Sequence, residues 1–503
     1  MKAKWLPISA AVALALGSVS ASAVDFHGYF RSGLNYAAQG GDAYCFGNGT
    51  KGHLLGRLAD ECDTYAELAL SQEVFNKGNN KFTINTLVAY GTNDSDAKDP
   101  QYDYQGNSMQ RESRGEGSAW DGQRMSLREA WAGYEMPSGI QLWAGKRYYQ
   151  RKDIHIMDFY YLNNSGTGFG VENIAVGNLG SLSFAVIKGQ TLATMSEKVA
   201  DKKTEAWLNE EANKGKSKDD SPYKASQTLA DADRDVNTWH LDARWNGIPL
   251  WTDGSLDVAF IYAWANLSEA QKENENRMNN AFLAHLEWTQ GNFFGGFNKL
   301  VFQYGHDGFD GVGTLNGGNH AGATVNPYGW KDDFGAKYKG DKGNGYRLID
   351  WGVIEQPSWN LGYAFLAAHK NSFDETYHGE RCVSIDCGAN WSHPTGNDYA
   401  VVIRPAYKWS DFTSTVLEFG YTNQTNTGWN GWKNKYRDGT LKSRVKATKL
   451  TLAQQWTPDS QFWARPSIRV FASWLSGDLV NKAYTHLEDN HQITVGAQVE
   501  AWW

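Results

Sequence analysis

Residues 491–503, HQITVGAQVEAWW, alternate as cleanly as any stretch of the chain. Ile493, Val495, Ala497, Val499, Ala501 and Trp503 fall on one side; Thr494, Gln498, Glu500 and Trp502 fall on the other. A period of two marks a strand with one apolar face and one polar face. This strand closes on an aromatic at the last residue, as outer-membrane barrel strands do. The pattern recurs from the start. Phe26, Gly28, Phe30, Ser32, Leu34 and Tyr36 oppose His27, Tyr29, Arg31 and Asn35, and Ala66, Leu68 and Leu70 oppose Tyr65 and Glu67. Further along, Asn298, Leu300, Phe302 and Tyr304 oppose Phe297, Lys299 and Gln303. Val401, Ile403, Pro405, Tyr407 and Trp409 oppose Arg404 and Lys408. Phe462, Ala464, Pro466, Ile468 and Val470 read outward against Trp463, Arg465 and Arg469. One such segment is weak evidence, but many in series point to an all-β, transmembrane antiparallel β-barrel.

The N-terminus agrees. Lys2 and Lys4 precede a mostly apolar run from Trp5 to Val19, and Ala21-Ser22-Ala23 forms a small-residue cleavage site. Residues 1–23 therefore read as a secretory signal peptide, leaving 24–503 as a single barrel domain. Losing those two lysines takes the formal charge from −8 to −10, which argues against nucleic acid as a partner. The longest later apolar run, Val258–Ala265, is far short of the ~20 residues of a membrane helix. A mean hydropathy of −0.57 beside 22 Trp, 25 Tyr and 22 Phe fits strands that are half polar, with aromatic girdles at two interfaces. About 16 to 18 strands of roughly ten residues would fit, and barrels of that size enclose water.

Three segments interrupt the alternation. Thr92–Gly117 is polar and acidic, Ser196–Asp235 is strongly charged, and Gly305–Asn326 is Gly-rich; all three read as long outward loops. A short helix around Thr204–Ala212 fits within the second. Cys45 with Cys62, and Cys382 with Cys387, read as local bridges in an oxidising compartment, although spacing alone leaves three connectivities open. Histidines are too scattered for a metal site, no phosphate loop or nucleophile elbow stands out, and no cofactor is expected.

The lumen-facing aromatics suggest a function. Alternation alone turns Tyr29, Tyr65, Phe297, Trp463 and Trp502 inward, beside Arg31, Glu67, Lys299 and Arg469. Rings offer flat apolar faces, and charged neighbours offer hydrogen bonds to hydroxyls, a pairing that suits a sugar. The stretch Trp143–Tyr161, WAGKRYYQRKDIHIMDFYY, opens as a strand and then mixes Arg147, Arg151, Lys152, Asp153, His155 and Asp158 with Phe159, Tyr160 and Tyr161.

Those residues, with VDFHGYFRSG, DECDTYAELALSQEVF, GFNK, IRPAYKW, LAQQW, ARPSIRVFA and the closing AWW, resemble the maltoporin family of sugar-specific outer-membrane channels. The resemblance covers nearly all of 24–503 and implies about 18 strands, a homotrimer, an inward-folded constriction loop, and maltose and maltodextrins as ligands. It also implies an aromatic slide at Tyr29, Tyr65, Phe297, Trp463 and Trp502, with Trp120 supplied by a neighbouring subunit's loop. The polar track it implies comprises Arg31, Arg57, Glu67, Arg128, Arg151, Asp153, His155 and Asp158, with Tyr160 as steric gate. The Cys45–Cys62 bridge matches the family, whereas Cys382 and Cys387 have no counterpart. Surface recognition by phage would follow too, but the enlarged loops at 92–117 and 196–235 depart from the family there. Alternatives are a channel for sucrose or β-glucosides, a nonspecific porin, and a secreted glycosidase using Asp153 with Asp158, or Glu67; no enzyme activity is expected.

Overall fold

The computed structural model describes residues 24–40, 43, 53–61, 64–92, 123–192, 204–217, 220–221, 235–269, 280–315, 344–371, 396–425, 444–478 and 491–503. Its strands, in chain order, are β1 (Asp25–Ala37), β2 (Thr64–Lys77), β3 (Asn80–Thr92), β4 (Gln123–Glu135), β5 (Gln141–Arg147), β6 (Lys152–Ile154), β7 (Phe159–Leu162), β8 (Gly166–Ala175), β9 (Ser181–Leu192) and β10 (Asp235–Trp251). There follow β11 (Gly254–Asn266), β12 (Ala281–Phe293), β13 (Gly296–His306), β14 (Asn344–Glu355), β15 (Trp359–Asn371), β16 (Gly396–Lys408), β17 (Thr413–Thr425), β18 (Arg444–Trp456), β19 (Ser467–Gly477) and β20 (His491–Trp502). Eighteen of them make one sheet, each antiparallel to its sequence neighbours, and β1 pairs with β20 to close the cylinder. β6 and β7 form a separate two-stranded hairpin. Closure leaves no unpaired sheet edge, which a hydrocarbon environment requires.

Alternation assigns the faces as expected. Leu34, Phe260, Phe302, Leu452 and Ile468 stand exposed on the outer wall. Trp251, Trp288, Trp359, Tyr407, Trp409 and Trp456 ring the end where strands join by short turns, and Tyr36, Tyr346 and Tyr399 lie toward the opposite end, the loop end. Such belts sit at the two membrane–water interfaces.

The interior departs from the polar-inside expectation. Inward side chains of the wall from β11 to β16, with β18 and β19, are largely small and apolar: Ile261, Leu283, Val301, Ile349, Leu366 and Val402 among them. They are buried because three segments fold into the barrel and cover them. The first, 53–61, brings Leu54 and Leu55; the hairpin brings Ile154, Ile156, Phe159 and Leu162; a 3-10 segment, Asp307–Gly313, brings Phe309 and Val312. The third corrects the reading of 305–326 as an outward loop, since its described part lies against β12–β15. Phe309 and Val312 draw it in, and glycines admit it: a Cβ on Gly305 would meet the Phe309 carbonyl oxygen at 2.0 Å. Gly420 similarly admits 53–61, since a Cβ there would meet the Leu55 oxygen at 2.0 Å.

A second correction concerns 457–466. It is a turn-rich segment rather than a strand, and β19 starts only at Ser467. Phe462 is therefore not outward: it packs on the interior cluster, where a Cβ on Gly362 would meet its ring. Apparent alternation around Pro466 misleads because proline and the preceding turn remove the ladder donors a strand needs. In the charged 196–235 segment, residues 204–208 form one helical turn before the 3-10 turn Glu211–Asn213. Residues 1–23, 93–117, Trp120 and all four cysteines lie outside the described residues.

Candidate functional site

Strand register brings the aromatic candidates into a row. Tyr29 in β1 lies opposite Glu67 of β2 on one side and Trp502 of β20 on the other. Tyr65, opposite Arg31, stands 6.2 Å from Tyr29 between ring centroids. From Trp502 the row passes through His155, 5.4 Å away and edge-on, to Trp463, 5.3 Å from that imidazole. Trp463 in turn lies near-parallel to Phe297 at 6.5 Å. The structure thus brings together Tyr65, Tyr29, Trp502, Trp463 and Phe297. Trp463 comes from the inward turn rather than from a strand.

A charged network runs beside the rings. Arg57 donates from Nη2 to the Tyr29 hydroxyl at 2.6 Å and from Nε to Glu61 at 2.6 Å, and pairs with Glu500 at 3.0 Å. Arg31 reaches Asp158 at 3.3 Å and Glu61 at 3.5 Å, and its guanidinium lies 5.2 Å from the Tyr65 ring centre. Glu500 also pairs with Arg465 at 2.8 Å and Arg469 at 3.5 Å. Arg151 is sandwiched between Tyr148 and Tyr160, 3.9 and 4.2 Å from their ring centres. Glu67 accepts from the hydroxyls of Tyr65 at 2.6 Å and Tyr148 at 3.3 Å. The Arg128 charge acts on Tyr148, and Asp153 lies opposite Tyr160 in the hairpin.

Local backbone fixes these placements. The 3-10 turn His155–Met157 ends on Asp158 in the left-handed region (φ 46°), which Asp tolerates better than most side chains. Its N–H donates to the His155 oxygen at 3.2 Å. Burial works against the Asp158 carboxylate, yet Arg57 and Arg31 outweigh it and hold the group below the usual carboxylate range. Burial pushes His155 well below an ordinary imidazole, with Arg57 and Arg465 adding to the effect. Burial also raises Asp153, despite Arg151 beside it, and raises Tyr160.

The constriction segment is anchored away from the rings. Lys152 pairs with Asp257 at 2.5 Å and Glu287 at 3.0 Å; Glu287 also binds Lys299 at 2.7 Å and accepts from the Tyr161 hydroxyl at 2.7 Å. The segment 53–61 is tied to β16–β18: Leu58 N–H donates to Glu418 at 3.1 Å, Lys449 binds the Gly56 and Leu58 oxygens, and Arg404 pairs with Glu418.

Sequence reasoning missed Glu61, Tyr148, Trp351 and the central role of Glu500 in this network. Alternation had already turned Glu500 inward between Gln498 and Trp502, so a signal was present. Trp351 stands edge-on to Phe297 at 5.1 Å, behind the row. No group of side chains able to hold a metal occurs among the described residues.

A family model, LamB porin, matches residues 24–503. Solved outer-membrane proteins are similar at low identity. Pseudomonas aeruginosa OccD3 (OpdP) shares 11% identity, with 97% of this chain and 93% of that chain covered at a TM-score of 0.42. Acinetobacter baumannii OccAB1 shares 10%, with 97% and 99% covered at 0.43.

Proposed function

The chain belongs to the LamB porin family, an outer-membrane β-barrel channel, and from that premise we propose that it conducts maltose and maltodextrins by facilitated diffusion. The observation that carries this reading is the continuous row from Tyr65 to Phe297 with charged side chains along its flank. A glucosyl ring presents an apolar face and a rim of hydroxyls. The aromatic row serves the first, and Arg31, Arg57, Glu67, Arg151 and Asp158 exchange hydrogen bonds with the second. Each site must release as readily as it binds, and closely spaced rings allow a chain to step between them. Tyr160, held by Arg151, is the gate at the narrowest level, while Asp153, His155 and Arg128 complete the track.

The same reading carries a removable signal peptide at 1–23, bridges Cys45–Cys62 and Cys382–Cys387, and a homotrimer in which Trp120 reaches a neighbouring lumen. Phage recognition at the loop end belongs to the same reading. Catalysis is not part of the reading, because the family to which the chain belongs is one of channels.

Single-channel conductance in a planar bilayer, titrated with maltose, maltotriose and maltohexaose, tests the proposal. Concentration-dependent block that tightens with chain length supports it. Block by sucrose or cellobiose alone keeps the channel and overturns the sugar, and absence of block by any sugar leaves a nonspecific porin. Hydrolysis of maltoheptaose by pure protein, lost in Asp158→Asn, would restore the glycosidase.

A further inference from the structure

The outer wall carries a polar band at its loop end that the transport reading does not use. Register fixes its orientation. Val445 and Ala447 of β18 are in the interior cluster, so Arg444 and Lys446 face outward; Ala400 does the same for Asn397, and Ala368 for His369. All four lie at strand ends joined by the long connections, which in outer-membrane barrels is the extracellular side. The outward side chains are bonded laterally across strands. His369 Nδ1 lies 2.5 Å from Asn397 Oδ1, and Nε2 lies 2.7 Å from Asn371 Oδ1. Arg444 donates from Nε to Asn423 Oδ1 at 2.8 Å and from Nη2 to the Asn397 oxygen at 2.5 Å.

Arg444 is thereby held flat on the wall with Nη1 unbonded among the described residues. Lys446 stands exposed on the same face, two positions along the strand and so about 6–7 Å away, and its Nζ has no partner among the described residues. The nearby Asp478 accepts from the Lys446 backbone N–H. Exposed Tyr399 lies just below the band, toward the apolar wall. A fixed guanidinium and a free ammonium over an interfacial aromatic are suited to a phosphate carried by a membrane lipid. Neighbouring amides are suited to the hydroxyls of a sugar headgroup.

We propose that the outer face of β15–β18 at the loop end binds the phosphorylated glycolipid of the outer leaflet, with Arg444 and Lys446 on its phosphate. This rests on the family and the barrel, not on the transported sugar.

Native mass spectrometry of the purified protein in detergent tests it, with bisphosphorylated lipid A, the dephosphorylated glycolipid and phosphatidylglycerol as probes. The expected result is retention of bisphosphorylated lipid A, at least tenfold weaker in the Arg444→Ala/Lys446→Ala double variant. Lys188→Ala, an outward cation on β9, should retain the lipid as the parent does. Equal retention of the dephosphorylated glycolipid, or of phosphatidylglycerol, overturns the assignment. So does a double variant that binds normally, or one whose only change is in the number of associated copies. Conductance of the double variant shows that it is folded.

Discussion

Two regions of one lumen are built on opposite principles. The wall from β11 to β16 carries a large apolar inner patch sealed by three inward segments, with buried ion pairs such as Lys152–Glu287 set into it. The seam of β1, β2 and β20 keeps its inward face polar and aromatic, and its row runs on through His155 to Trp463, still 39% exposed, and to Phe297 of β13. The sealed side narrows a wide cylinder and holds the constriction in place. The open side presents a surface. The proposed sugar channel needs both, because the packed side lets the open surface be narrow without being mobile.

The sharpest way to break the division is to unfasten the sealed side. Glu287→Ala strands Lys299 and removes one partner each of Lys152 and Tyr161 in a buried network, a loss of about 3–5 kcal/mol. We expect noisier, larger single-channel currents and a lower unfolding temperature. Unchanged currents would mean that the hairpin is held by packing alone. Gly420→Ala should act on the same side more mildly, by about 1–3 kcal/mol, because its methyl group displaces Leu55. The conductance rise should then be smaller, and sugar block should persist.

Changes on the open side should leave the barrel intact. Trp463→Ala removes roughly 50 Å2 of stacking contact, about 1.3 kcal/mol or tenfold in affinity for long maltodextrins. Its melting temperature should stay close to that of the parent, and equal loss of sugar block and stability would erase the distinction between the two regions.

The smallest effect concerns pH. Burial holds His155 below 6.5, and Arg57 and Arg31 hold Asp158 below 3.8. A carboxylate with a depressed pKa contributes its full stability above 3.8 and loses it only as pH falls through its lower, folded value. Neither His155 nor Asp158 should therefore give sugar block a pH dependence from pH 8 to about 4.5, and a step within that range would belong to Asp153, whose carboxyl burial raises. Loosening of the constriction should begin only below 3.8, and titration near pH 6 would remove His155 from the buried network.

The wall was legible in the sequence because a barrel strand has only two faces. Alternation sorted Phe302 outward and Tyr29 inward without any long-range information. What it could not say was which inward side chains meet. Phe297 and Trp463 are 166 positions apart and touch only because a turn folds under the barrel. That turn also imitates strand alternation from Phe462 to Pro466, which is why it was misread. The inward course of Asp307–Gly313 was hidden for a different reason: glycines signal a loop equally well whether it leaves the wall or lies against it. Glu500 was placed on its correct face, but its four neighbours Arg57, His155, Arg465 and Arg469 come from β19, the turn before it and two inward segments, so no local spacing announces them.

The pairing of Tyr29 with Trp502 has a consequence for assembly order. The aromatic row crosses the seam where the first strand meets the last, so it cannot exist on any partly inserted sheet. A nascent barrel arrested one strand short would have walls and a pore but no recognition surface. On the proposed reading selectivity therefore arises only at the final closure step, and sugar binding would report completed insertion.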